Sequence, residues 1–147
     1  MNVYEQTCET MKRRFHSECL FRENRQGLEL KTSFGDDGTL RAEFDCRDEY
    51  QGYDGRVHGG VLAAVLDAGM AQCLLGHGIV AYTARSTIRY LRPVAAPGRL
   101  TIRCRIGESH YDKLYRVSGV IRQGATKCVV ANAAFYRADH KQRSLPN

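Results

Sequence analysis

The chain has 147 residues, 43% of them hydrophobic and 26% charged, with a formal net charge of +6. That length suits one domain over residues 1–147 with a core that needs no metal or disulfide staple, and the composition excludes a largely disordered chain. No uninterrupted apolar run approaches the roughly 20 residues of a membrane span. The first fifteen residues mix Glu5, Glu9, Lys12 and Arg13 and lack the apolar stretch of a signal peptide, so the cytoplasm is the expected address.

The six cysteines lie far apart, with no C-x-x-C pair to chelate zinc. Cys73 and Cys104 fall inside apolar patterns, where a thiol behaves as a small hydrophobe, so reduced and mostly buried thiols are expected. Charge is unevenly spread. Residues 1–84 carry 9 Lys+Arg against 13 Asp+Glu, net −4, whereas residues 85–147 carry 13 against 3, net +10. A basic half suits an anionic partner or the solvated face of a sheet. No nucleic-acid-binding spacing is present, and nucleic acid and membrane are not expected partners.

In chain order, Val3, Thr7, Met11 and Phe15 recur every fourth residue, which predicts a short amphipathic helix within an N-terminal segment of residues 1–18. Asn24 and Gly27 mark a turn. Leu28 to Phe34 and Leu40 to Cys46 flank Gly35-Asp36-Asp37-Gly38, and the second alternates with period two, a hairpin signal. After a glycine-rich loop, 12 of the 15 residues from Val61 to Leu75 are apolar, the exceptions being Asp67, Gly69 and Gln72. A helix apolar nearly all round must be enclosed on most sides. Four strands follow: Val80 to Arg92, Leu100 to Ile106, Lys113 to Arg122 and Thr126 to Arg137. In the first of them, period-two alternation puts Ala84, Ser86, Ile88 and Tyr90 on one face and Thr83, Arg85, Thr87 and Arg89 on the other. Short connections favour antiparallel neighbours. The predicted fold is α+β, a curved antiparallel sheet of about six strands wrapped around one apolar helix, with a short N-terminal helix and a flexible tail over 138–147.

Two features carry chemistry. Val57-His58-Gly59-Gly60 opens the apolar helix, and helix-start N–H groups left bare by glycine can stabilise an oxyanion or simply allow close packing. Asp67 is the only acid between Val61 and Leu75. It suits a hydrogen-bonded structural carboxylate or a general base or nucleophile.

His58-Gly59-Gly60-Val61-Leu62-Ala63-Ala64-Val65-Leu66-Asp67-Ala68 resembles the HGG-helix-Asp signature of the PaaI-type hotdog thioesterases. Ser86-Thr87-Ile88-Arg89-Tyr90-Leu91-Arg92-Pro93 resembles the strand that follows in that family, and the likeness takes in Tyr50-Gln51-Gly52-Tyr53, so that it spans roughly residues 27–137. The resemblance implies a hotdog fold hydrolysing acyl-CoA thioesters, with no metal and no cofactor beyond the CoA of the substrate. It implies Asp67 as catalytic carboxylate, Gly59 N–H as carbonyl polariser, with Gly60 beside it against the substrate. It gives His58 the support of that loop and Thr83 a hydroxyl that orients water. Arg85, Arg89, Arg92 and Lys113 are candidates for the CoA phosphates. Family members often carry Asn or another polar residue about six positions before the His, where this chain has Gly52.

Eight residues on a helix separate Gly59 from Asp67 by about 12 Å along the axis and roughly 80° around it, too far to serve one carbonyl. A homodimer with antiparallel helices would place Asp67 of one protomer opposite Gly59 of the other, giving composite sites, and the family resemblance extends this to a dimer of dimers. Two other readings compete: a non-catalytic acyl-CoA-sensing module, and a hotdog dehydratase or hydratase. The dehydratase reading lacks a His far enough ahead of the helical acid, and the first 26 residues are too few for the DNA-binding domain that a regulator would carry.

Overall fold

The computed structural model describes residues 1–21, 28–110 and 113–138; the expected turn at Asn24 to Gly27 and the tail beyond Ala138 lie outside them. Helix α1 (Val3–Phe15) begins on a capping box: the Glu5 N–H donates to Asn2 Oδ1 and the Asn2 N–H to Glu5 Oε2, each at 3.0 Å. The same two side chains then reach strand β1 (Lys31–Phe34). Asn2 Nδ2 donates to the Phe34 carbonyl at 2.7 Å, and the Phe34 N–H donates to Glu5 Oε1 at 3.1 Å. These N–H groups, Phe34 first, hold the Glu5 carboxyl below the usual carboxylate range. One helix start thus covers the end of a short edge strand.

β1 pairs with β2 (Leu40–Cys46) across a turn in which Gly38 has φ +76°, a conformation that favours glycine. Strands β3 (Ala81–Tyr90), β4 (Gly98–His110), β5 (Leu114–Gln123) and β6 (Thr126–Arg137) complete one antiparallel sheet of order β1-β2-β4-β5-β6-β3. Helix α2 (Gly59–Gly76) lies in its curve. Val65, Leu66, Met70 and Leu74 are fully buried against Leu40, Phe44, Leu100, Ile121 and Phe135, which is why this helix has no polar stripe. At 18 residues and a mean hydropathy of 1.5, α2 would by length and composition cross a bilayer, a point the interrupted run from Val61 to Leu75 concealed. Here 61% of it is buried inside the fold, as a core helix.

The close fit extends to the glycines. A methyl group at Gly76 would overlap the Phe34 ring, and one at Gly119 would come within 2.9 Å of Leu66 Cδ2. Gly76→Ala should therefore cost about 1–3 kcal/mol of stability, read as a lower midpoint in denaturant unfolding.

Several boundaries differ from the pattern in the sequence, those of β3 and β5 by only one or two residues. Leu28 to Leu30 precede the ladder, so β1 is four residues long. α2 gains the two glycines before Val61, because the His58 ring caps a helix they begin. β4 runs on to His110 through an irregularity between Ile106 and Ser109. The largest difference is in β3, where a bulge between Thr83 and Arg85 shifts the register by one residue. Thr83 pairs with Phe135, whereas Arg85 pairs with Ala134, its neighbour on the opposite face. Thr83 consequently joins Ser86, Ile88 and Tyr90 on the helix side, correcting the alternation that grouped it with Arg85, Thr87 and Arg89.

All six cysteines are free thiols, five of them buried. Burial pushes the Cys46 and Cys73 thiols up to about 11 and also raises Cys104. Unfolded thiols lose their protons near pH 9, before these folded ones, so the unfolded chain binds fewer protons and stability should fall between about pH 9 and pH 11. At pH 8 a thiol reagent should label at most Cys19 rapidly and all six only after unfolding, as mass spectrometry would record.

Candidate active site

The turn before α2 is held by backbone bonds, with the His58 N–H donating to the Tyr50 carbonyl at 2.8 Å and the Val57 N–H to Val94 at 2.9 Å. His58 is the N-cap, in extended conformation, and its Nδ1 accepts from the Gly60 N–H at 2.8 Å. The Val61 and Leu62 N–H groups donate to the His58 carbonyl. Of the first-turn donors this leaves the Gly59 N–H, which has no acceptor among the described residues. A methyl group at Gly60 would lie 3.0 Å from His58 Nδ1, so glycine there keeps the cap close. A methyl group at Gly52 would stand 3.3 Å from His58 Cα and Cδ2, so the side chain common at that position in the family has little room beside this ring.

Tyr90 is a residue of this site that the sequence reading placed on a strand face and no further. Its hydroxyl donates to the Gly59 carbonyl at 3.0 Å, and its ring would meet a Gly59 methyl at 3.6–3.7 Å, ordinary contact. The Gly59 carbonyl and the Gly60 N–H belong to one peptide group, which is therefore gripped at both ends, by Tyr90 and by His58. The available signal was its position four residues past Ser86, on the face that turns toward the helix.

Asp67 lies two turns along α2, half-buried. Thr83 Oγ1 donates to its Oδ1 at 2.6 Å, and Oδ2 has no partner among the described residues. The bulge in β3 makes this pairing possible by turning Thr83 inward. Asp67 belongs to the uncovered stripe of α2, which runs through Gly60, Ala63, Ala64 and Ala71 at spacings of three or four residues. Beside it, β3 is an edge strand with eight of its ten residues exposed.

The basic candidates do not converge on this side. Arg85 and Arg89 pair with Ala134 and Val130 and project from the outer face of the sheet. Arg92 lies beyond β3, its Nη1 donating to the Leu91 carbonyl, and Lys113 is at the opposite end, its carbonyl bonded to the Arg137 N–H. Among the described residues, no three His, Cys, Asp and Glu side chains are grouped to hold a metal ion.

One long helix in the curve of a six-stranded antiparallel sheet, capped by a short N-terminal helix, defines a hotdog domain. Residues 54–110, from the loop before α2 into β4, match the thioesterase superfamily model. The fold agrees: the chain superposes on the PaaI protein of the E. coli phenylacetic acid degradation operon with a TM-score of 0.76, covering 93% of this chain and 94% of that one at 16% identity. The chain thus has the hotdog fold, and its residues 54–110 are similar to the thioesterase superfamily. RHA08564, a thioesterase superfamily protein, is 28% identical with a TM-score of 0.72 over 77% of this chain; the chain spans 58% of that protein's length. The smu.793 protein of Streptococcus mutans, solved bound to acetyl CoA, is 19% identical with a TM-score of 0.71, covering 80% of this chain and 94% of that one. No protein of curated function matches.

Proposed function

We propose that the chain is an acyl-CoA thioesterase acting as a homodimer, with neither metal nor resident cofactor. The carrying observation is that a carboxylate oriented by a hydroxyl and a helix-start N–H with no acceptor lie along the same uncovered side of one helix. A second copy packed there covers both the small-residue stripe of α2 and the edge of β3. Antiparallel α2 helices then bring Asp67 of one protomer to the thioester carbon polarised by Gly59 of its partner. CoA-bound smu.793, on the same fold, supports the substrate class.

In this reading Thr83 holds Oδ1, and Oδ2 takes a proton from the attacking water. Electron density moves onto the carbonyl oxygen, which the Gly59 N–H and the helix start stabilise. The tetrahedral intermediate collapses with loss of CoA thiolate, leaving the free acid. Direct attack by Asp67 is the competing route: its oxygen bonds the thioester carbon and CoA thiolate leaves. Water attacking the Asp67 carboxyl carbon of the mixed anhydride then leaves protein oxygen in the acid of a single turnover in H2-18O, whereas the water route puts solvent oxygen there.

A thiol-release assay across aromatic and aliphatic acyl-CoAs tests the function. Saturable hydrolysis of any of them supports it; tight binding without turnover supports an acyl-CoA sensor instead. Tyr90→Phe, which keeps the ring and removes the hydroxyl, should lower kcat about tenfold with KM little changed, since the lost bond orients the oxyanion donor and does not hold the substrate.

A further inference from the structure

The outer face of the sheet takes no part in the proposed chemistry, and because α2 fills the concave side this face is convex. Arg41 pairs in register with Arg103 across β2 and β4. Arg105 lies two residues further along β4 on the same face and pairs with Ser118 of β5, and Arg116 lies two residues before Ser118. Neighbouring strands stand about 4.8 Å apart, two residues of strand span about 7 Å, and diagonal neighbours lie about 7–8 Å apart. Arg41, Arg103, Arg105 and Arg116 therefore form a track of about 20 Å across three strands, each one such step from the next.

All four are exposed, and none has an ion-pair partner among the described residues. Like charges directly opposite one another destabilise a sheet, so the free fold carries this track at a cost that a bound polyanion would lift. Both ends open into grooves. Arg41 and Arg103 line one of about 570 Å3 with Lys31 and Arg122, and the acid among them, Glu43, is 3.7 Å from Arg99. Arg116 lines the other, of about 540 Å3, with Asn132 and the exposed Tyr136; among the described residues no acid lines it.

A polymer whose anions recur every few ångströms matches such a track. Guanidinium forks grip phosphodiester oxygens, the Tyr136 ring gives a base a face to stack on, and the Asn132 amide can bond its edge. We propose that the outer face binds single-stranded nucleic acid, with the four arginines on its phosphates and Tyr136 under a base. A flexible strand follows a convex face, whereas a bilayer meets it along one line only. The track crosses β2, β4 and β5 and ends at β6, so the second protomer, which covers the α2 stripe and the β3 edge, leaves it open. No spacing along the chain announces it, because its residues come from four strands.

Fluorescence anisotropy of a labelled oligouridylate of about 15 nucleotides, titrated with the intact protein, tests the surface. It uses no acyl-CoA, so its outcome is independent of the thioesterase reading. Saturable binding in the micromolar range is expected at about 50 mM salt, and four phosphate contacts make log Kd rise with log salt at a slope of about 3. Arg103→Glu sets opposite charges across β2 and β4 and so keeps the fold; it should weaken binding about tenfold or more and lower that slope by about one. Tyr136→Ala should weaken binding about fivefold or more and leave the slope unchanged, because it removes a stacking face and no charge. Absence of saturable binding or variants that bind as the wild type does would overturn the proposal. So would a duplex of the same length, polyglutamate or phosphatidylglycerol vesicles bound as tightly as the single strand.

Discussion

Asp67→Asn should lower kcat by between about a hundredfold and ten-thousandfold, the range general-base catalysis contributes, while the thermal midpoint moves little. Asn retains an oxygen that can accept from Thr83 Oγ1, so the 2.6 Å contact has a successor and the half-buried position stays satisfied. What the amide lacks is a basic oxygen to take the proton of water. A folded Asp67→Asn variant turning over at the wild-type rate would end the assignment. Thr83→Val, which leaves the carboxylate and removes its orienting hydroxyl, should cost less, because the base remains present and only its aim is lost.

The second large effect is expected from Gly59→Pro. Proline is a favoured residue at the first position of a helix, where its missing N–H has no intrahelical partner to lose and its fixed φ suits the turn. Gly59 occupies that position, and His58 before it already has φ −60° and ψ 132°, the extended conformation that proline imposes on its predecessor. The substitution therefore deletes one N–H with the helix start retained. If that N–H is the oxyanion donor, kcat should drop by about a hundredfold to a thousandfold. Combining the two variants separates shared from self-contained sites. In a random mixture half the dimers are mixed, and each mixed dimer keeps one site with both Asp67 and Gly59 intact. Activity should return to about a quarter of the wild-type value, against none if each chain carries its own site.

Much of this was legible in the chain because it is local. The four-residue spacing from Val3 to Phe15 gave α1 its bounds, and alternation from Leu40 to Cys46 gave β2, both as observed. The apolar run after Val61 implied a helix enclosed by sheet, because no other arrangement buries it. The marks of the site itself, His58-Gly59-Gly60 and Asp67, were legible as breaks in an apolar pattern. The bulge in β3 was not, since Thr83-Ala84-Arg85-Ser86 contains no glycine or proline and continues a clean alternation across it. Missing that one residue of slip hides which side Thr83 faces. The bond from Tyr90 to Gly59 spans 31 positions, and nothing near either residue announces the other. The scatter of the basic residues was hidden for a related reason: closeness in sequence along β3 and its flanks says little about which face or end of a sheet each one occupies.

The cap on α2 has a chemical corollary. Nδ1 of His58 can receive the Gly60 N–H only through its lone pair, so the neutral ring must carry its single proton on Nε2. A proton, a metal ion or an alkyl group added to Nδ1 would turn an acceptor into a blocked or donating atom facing another donor. The Gly59–Gly60 peptide would then be gripped by Tyr90 alone, free to tilt, and the neighbouring Gly59 N–H with it. The ring can in this way transmit its own tautomeric state to the orientation of the Gly59 N–H.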